Sequence, residues 1–256
     1  MKNTLLENFR EGRVSIGTLS HLRSTTAVES LGYAGLDFIL FDQEHCPSDS
    51  GEIAGYLTAA TAAGLSSLVR VNAIERSALL KVLDAGAAGV IVPGLETPEQ
   101  ARELVRYAKF KPLGDRGYCM TRDGGWSFAD SYRDGITGYM AQANADTMLI
   151  PQCETLGCLE SIETITAMEG VDGIMVGPYD LSIAMGIPGQ FTAPEFRAAV
   201  ERILRACKAN HKFSMAFAGN AQKAMEYRDM GFDSILLGLD ILMLVEGYRN
   251  LLGALE

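Results

Sequence analysis

Eight short apolar runs, each followed by a stretch of helical periodicity, recur along this 256-residue chain and constrain its fold more than any other feature. The runs read as strands at 14–19, 38–41, 67–71, 89–92, 147–150, 173–176, 213–217 and 234–237. Helical patterns cover 25–31, 51–63, 76–85, 97–107, 134–143, 156–168, 194–209 and 221–230. Continuously apolar strands are buried on both faces, as parallel strands covered by helices are. Eight of them at this length predict one domain over 1–256, an α/β fold of the closed (β/α)8 TIM-barrel type. An open doubly wound sheet is the alternative, but Gly17-Thr18-Leu19-Ser20 offers one glycine where a dinucleotide-binding turn needs G-x-G-x-x-G. Two helices exceed the repeat, a short N-terminal one at 5–10 and a C-terminal one at 241–252. The latter carries Ile241, Leu242, Leu244, Val245, Tyr248, Leu251 and Leu252, more apolar surface than a solvent-facing end needs, which predicts a subunit contact. A Gly-rich stretch, 114–126, also interrupts the pattern.

Composition narrows the function. With 48% hydrophobic and 21% charged residues the chain has the make-up of a soluble globular protein. No apolar run reaches membrane-spanning length, and Met1-Lys2-Asn3-Thr4 leads to Glu7 and Arg10 rather than to a signal core, so a cytoplasmic protein with no membrane partner is expected. A net charge of -10 without clustered Lys and Arg argues against nucleic acid. Cys46, Cys119, Cys153, Cys158 and Cys207 form no CxxC pair, hence neither a disulfide framework nor a thiolate metal site. A small molecule is the expected partner.

In such a barrel, catalytic side chains come from the C-terminal ends of the strands. The second strand runs into Phe41-Asp42-Gln43-Glu44-His45, the third into Val69-Arg70, the fifth into Pro151-Gln152-Cys153-Glu154 and the sixth into Gly177-Pro178-Tyr179-Asp180. Singly, each has a plain structural explanation: Asp180 as a helix cap, Arg70 as a rim ion pair, His45 as a hydrogen-bonded histidine. Charged groups are costly to bury, however, and four strand ends delivering them to one mouth point to function. His45, with Asp42 and Glu44 beside it, is a credible general base, and we count Asp42 with it as catalytic. His21 follows the first strand as a second imidazole placed to face the mouth. Arg70 has the fork that binds a carboxylate and neutralises an oxyanion. Glu154 and Asp180 lie on adjacent strands without soft ligands, which suits a hard divalent cation, Mg²⁺, Mn²⁺ or Co²⁺. A Schiff-base aldolase needs a lysine on an interior strand end. Lys2, Lys81, Lys109, Lys111, Lys208, Lys212 and Lys223 all fall in helices or loops, so the electrophile is expected to be a metal. Phosphate binding at Ala218-Gly219-Asn220 and Leu237-Gly238-Leu239 is a weaker option, because helix capping explains those glycines as well.

Six segments, Phe41-Asp42-Gln43-Glu44-His45-Cys46-Pro47, Leu68-Val69-Arg70, Leu83-Asp84-Ala85-Gly86-Ala87, Lys111-Pro112-Leu113-Gly114-Asp115-Arg116-Gly117, Gln152-Cys153-Glu154-Thr155 and Val176-Gly177-Pro178-Tyr179-Asp180-Leu181-Ser182, together resemble the HpcH/HpaI family of class II, metal-dependent pyruvate aldolases. They occur in the same order over nearly the whole chain. The resemblance implies a homo-hexamer, a trimer of dimers with exchanged C-terminal helices. It also implies a reaction that makes or cleaves a C–C bond between pyruvate and an aldehyde through a 4-hydroxy-2-oxo acid. Carried across residue by residue, it makes Glu154 and Asp180 the metal ligands. Arg70 would bind the pyruvate oxygens and stabilise the enolate, His45 would share acid/base work with Asp84, and Gln152 would hydrogen-bond substrate or metal-bound water. Backbone N–H groups around Pro178, Tyr179 and Asp180 would take the carboxylate, Pro178 itself having none to give.

Two positions depart from the family pattern: Tyr179 stands where common relatives have a small residue, and Gln43 where many have glycine. The family also includes citrate-forming and macrophomate-forming enzymes and has CoA-ester lyase relatives, so a condensing or decarboxylating enzyme acting on oxaloacetate is the competing expectation. A ligand-binding barrel without catalysis is opposed by the four charged strand ends. The reading is a metal-dependent carbon–carbon lyase.

Overall fold

The computed structural model describes residues 3–255; Met1, Lys2 and Glu256 lie outside them. Eight parallel strands, β1 (Ser15–Ser20), β2 (Phe38–Asp42), β3 (Ser66–Arg70), β4 (Gly89–Val92), β5 (Met148–Cys153), β6 (Gly173–Val176), β7 (Phe213–Ala218) and β8 (Ser234–Leu239), form a closed barrel in sequence order. Pairing of β8 with β1 removes both edges and disposes of the open-sheet alternative. The strands read as unbroken apolar runs because alternate residues serve two cores. Phe38, Leu40, Leu68, Ile91, Met148, Ile150, Met175, Phe213, Met215 and Leu236 fill the barrel, while Ile39, Phe41, Val69 and Val90 pack outward under the helices. At β1 the interior admits only glycine, since a Cβ on Gly17 would lie 2.5 Å from the Phe38 ring.

The N-terminal helix, Thr4–Arg10, stoppers the lower end of the barrel. Leu5 is fully buried in the inner cluster, and Phe9 meets Phe213 edge-on with centroids 5.7 Å apart. Parallel strands force each connecting helix to start at the upper mouth and return to the bottom. Caps therefore ring the mouth: Asp49 in a capping box with Glu52, Thr97 in one with Gln100, and Asn220 accepting from the Lys223 amide. The Asn220 cap accounts for one of the segments weighed above for phosphate.

Several details differ from the sequence-based expectation. β5 continues to Cys153 because β4 ends at Val92, level with Pro151, so the missing proline N–H interrupts no ladder on that side. The helix expected at 156–168 breaks at Ser161 (φ -100°, ψ 10°) into Leu156–Glu160 and Ile162–Thr166. The helix Pro194–Ala209 starts after Ala193, an N-cap that makes no side-chain bond. The C-terminal helix, Asp240–Gly253, leaves the barrel with Ile241, Leu242, Leu244, Val245, Tyr248, Leu251 and Leu252 all exposed. Among the described residues, no helix is long and apolar enough to cross a membrane.

Candidate active site

The mouth is built by carrying each strand's inward register two residues further. Leu19 leads to His21, Leu40 to Asp42, Leu68 to Arg70, Ile150 to Gln152 and then Glu154, Met175 to Gly177, and Met215 to Phe217. The β2–β3 register sets Asp42 directly beside Arg70. His21, His45, Arg70, Gln152, Pro178, Tyr179 and Asp180 line one cavity of about 260 Å³, floored by the upper layer of the inner core.

Arg70 is buried and held from three sides. Its Nε donates to Asp42 Oδ1 (2.9 Å), its Nη2 to Oδ2 (2.7 Å), and Nη1 faces Glu44 Oε2 at 3.2 Å. Asp42 also accepts from the Glu44 amide (3.0 Å) and lies 2.9 Å from His21 Nε2. Burial by itself raises the Asp42 pKa, but the Arg70 fork, the Glu44 amide and His21 together hold it below the ordinary aspartate value. Asp42 is thus an anion with every oxygen engaged, 1% exposed. It holds Arg70 and His21 in place at the mouth. His45 sits in the loop after β2 with its side chain 60% exposed, and its nearest carboxylate is Glu44 at 3.7 Å. Burial pushes the Glu44 carboxyl up, against the pull of Arg70.

Glu154 follows β5 and is buried; its Oε1 accepts from the Gly94 amide (2.7 Å) and its Oε2 from Gln152 Nε2. The uncharged end of β4 therefore has a task, supplying the N–H that orients Glu154. Burial raises the Glu154 pKa and the charge of Asp180 adds to it, while Gln152, the Gly94 amide and Arg70 oppose the rise. Gly177 is required at the end of β6, because a Cβ would stand 2.8 Å from Glu154 Oε2 and 3.1 Å from Gln152 Nε2. Pro178 opens the helix Pro178–Ala184, which puts Asp180 in its first turn. Gln152 Oε1 is buried and has no partner. Two carboxylates and an unsatisfied amide oxygen form an all-oxygen donor set, which fits a hard divalent cation completed by water or substrate. No cluster of three His, Cys, Asp or Glu side chains suited to a metal occurs among the described residues.

The remaining predicted residues fall as follows. Tyr179 lines the cavity, its ring set edge-on against Phe191 (5.1 Å) and tilted against Phe217 (6.2 Å). Gln43 turns aside to donate to the Ser48 carbonyl (3.3 Å). Asp84 ends the helix Arg76–Asp84 and so lies at the bottom of the barrel, where Arg116 Nη2 binds it at 2.8 Å and Asp123 at 2.7 Å. The chain does not bring Asp84 to its own His45; a helix that starts at the mouth ends at the opposite face. No described lysine lines the cavity, and buried Lys109 is tied to the Asn144 and Thr147 carbonyls and to Asp172.

A closed barrel with Asp42, Arg70 and Glu154 buried at its C-terminal mouth has the form of a (β/α)8 enzyme acting on a small molecule. Residues 16–246 match the HpcH/HpaI aldolase/citrate lyase family, and the chain belongs to it as a carbon–carbon lyase. Over 251 residues it is 32% identical to a hydroxypyruvate/pyruvate aldolase of Roseobacter denitrificans, covering 97% of this chain and 95% of that one. A 2-dehydro-3,6-dideoxy-6-sulfogluconate aldolase of Pseudomonas putida is 33% identical over 245 residues, covering 94% and 92%. A solved HpcH/HpaI aldolase/citrate lyase family protein of Burkholderia cenocepacia superposes with a TM-score of 0.90 at 33% identity over 99% of both chains.

Proposed function

We propose that this enzyme makes or cleaves the C–C bond between the enolate of pyruvate and an aldehyde, the aldol being a 4-hydroxy-2-oxo acid. The observation that carries this reading is the shared cavity: the buried, pre-oriented Arg70 fork opens beside Gln152 and Asp180, with Glu154 behind them. Glu154, Asp180 and the free Gln152 oxygen would hold Mg²⁺, Mn²⁺ or Co²⁺, which when bound polarises the ketone and spreads enolate charge. Arg70 binds the 2-oxo acid and offers its charge to the developing oxyanion, its orientation fixed in advance by Asp42. The N–H groups of Tyr179 and Asp180, in the first turn of their helix and so without intrahelical partners, receive the carboxylate.

In the cleavage direction a base removes the proton from the 4-hydroxyl and the C3–C4 bond breaks. Its electron pair moves to C3, the aldehyde departs, and protonation of C3 gives pyruvate. We assign the hydroxyl proton to His45, whose exposed ring borders the cavity. Asp84 can join it only from a second copy, and the uncovered apolar face of the C-terminal helix supports assembly into a homo-oligomer, the hexamer that the family suggests. Pyruvate consumption with a panel of aldehydes, with each cation and after chelation, tests the reaction. Loss of turnover on chelation and recovery on adding one cation is expected; full turnover in the chelated enzyme overturns it.

A further inference from the structure

The cavity is divided in a way the aldol reading does not use. Its charged half comes from β2, β3, β5 and β6; the other half, above β7, β8 and β1, is lined by Phe217, Leu236 and Leu19, with the Tyr179 ring closing it from the β6 side and His21, whose Nε2 is already bound to Asp42, at its β1 edge. Tyr179 is braced, not loose: Phe191 meets it edge-on and Phe217 packs against it, so two aromatic faces border the open space. Arg70 is the one Lys or Arg among the lining residues, and Asp42 and Glu44 hold it on the charged half, where it serves the 2-oxo acid. Pyruvate on the charged half leaves the apolar half for the second substrate.

We propose that the acceptor aldehyde of this enzyme has a neutral, apolar tail, aliphatic or aromatic, and that Phe217 and Tyr179 select it. A tail ending in a carboxylate, sulfonate or phosphate would lose its water against Phe217, Leu236 and Leu19 without a cation to replace it. A polyhydroxylated tail would leave hydroxyls unpaired on the same wall. The inference rests on the aldol reading, and the test separates the two. Butanal and succinic semialdehyde share an aliphatic aldehyde group and differ chiefly in the terminal carboxylate. 3-Phenylpropanal and glyceraldehyde extend the comparison. Each is supplied with pyruvate and Mg²⁺ to the full-length enzyme, and exchange of pyruvate methyl protons with D₂O is followed in parallel samples as the measure of enolate formation.

The two apolar aldehydes are expected to exceed the two polar ones in kcat/KM by at least about tenfold. Phe217→Ala should shrink that ratio and Phe217→Leu should restore part of it, each variant being referred to its own exchange rate. Normal exchange with succinic semialdehyde or glyceraldehyde as the better acceptor overturns the proposal, and so does normal exchange with no acceptor turned over. Absence of exchange instead removes the aldol reading, and the proposal with it.

Discussion

Asp42 shows how one buried carboxylate sets the charged half of the mouth. It receives the Arg70 fork, the Glu44 amide and the His21 ring, so Asp42→Asn leaves Arg70 buried without its main counter-charge. Breaking a buried pair in this way costs about 3–5 kcal/mol, which urea denaturation should register. The pH dependence follows from the sign of the shift. Folding lowers the Asp42 pKa, so its contribution is complete above the ordinary aspartate value of about 4 and is lost as pH falls through the lower folded-state value. The stability gap between wild type and Asp42→Asn should therefore narrow on acidification below about pH 4; a gap that widens there contradicts the assignment. At Gly177 the constraint is space. Gly177→Ala pushes a methyl against Glu154 and Gln152, and Mn²⁺ titration should show affinity weakened about 10–100-fold with little change in melting temperature. Unchanged affinity would separate Gly177 from the cation cradle.

At the scale of the elements, the eight strands and most helices were legible because parallel, doubly buried strands leave unbroken apolar runs in the sequence. The boundaries that moved did so for tertiary reasons, as at Pro151, where only the neighbouring strand's end shows that the chain can go on pairing. The charged strand ends were legible by residue type. Phe217 and Gly177 were given no role: they come from the inward alternation of β7 and β6, and that two-residue rule, applied to β1, would also have given His21 more weight. Asp84 lies on the helix after β3, as expected, but a helix that returns to the bottom carries its last residue away from its own mouth, so the sequence alone did not show what would bring it to His45. The helix Asp240–Gly253 bears its own prediction. Leu251→Glu puts charge on a face that none of the described residues covers, and light scattering should report a smaller assembly than wild type with secondary structure retained. An unchanged mass would place the subunit contact elsewhere.

For the whole molecule, the layout separates support from chemistry: the bottom is stoppered by the helix Thr4–Arg10 and braced by Arg116 between Asp84 and Asp123, while the cavity opens at the other end. The described lysines are all outside that cavity, so borohydride added with pyruvate should leave protein mass and activity unaltered, and a pyruvyl adduct on any lysine contradicts the metal-assisted route. The central claim is that pyruvate is enolised at this mouth with a divalent cation held by Glu154 and Asp180. Exchange of the pyruvate methyl protons in D₂O, followed by NMR with Mg²⁺ added and then chelated, tests it most directly. The account predicts exchange that saturates with the cation, disappears on chelation and falls at least about tenfold in Glu154→Gln. Exchange that continues undiminished after chelation, or that Glu154→Gln leaves untouched, would contradict it.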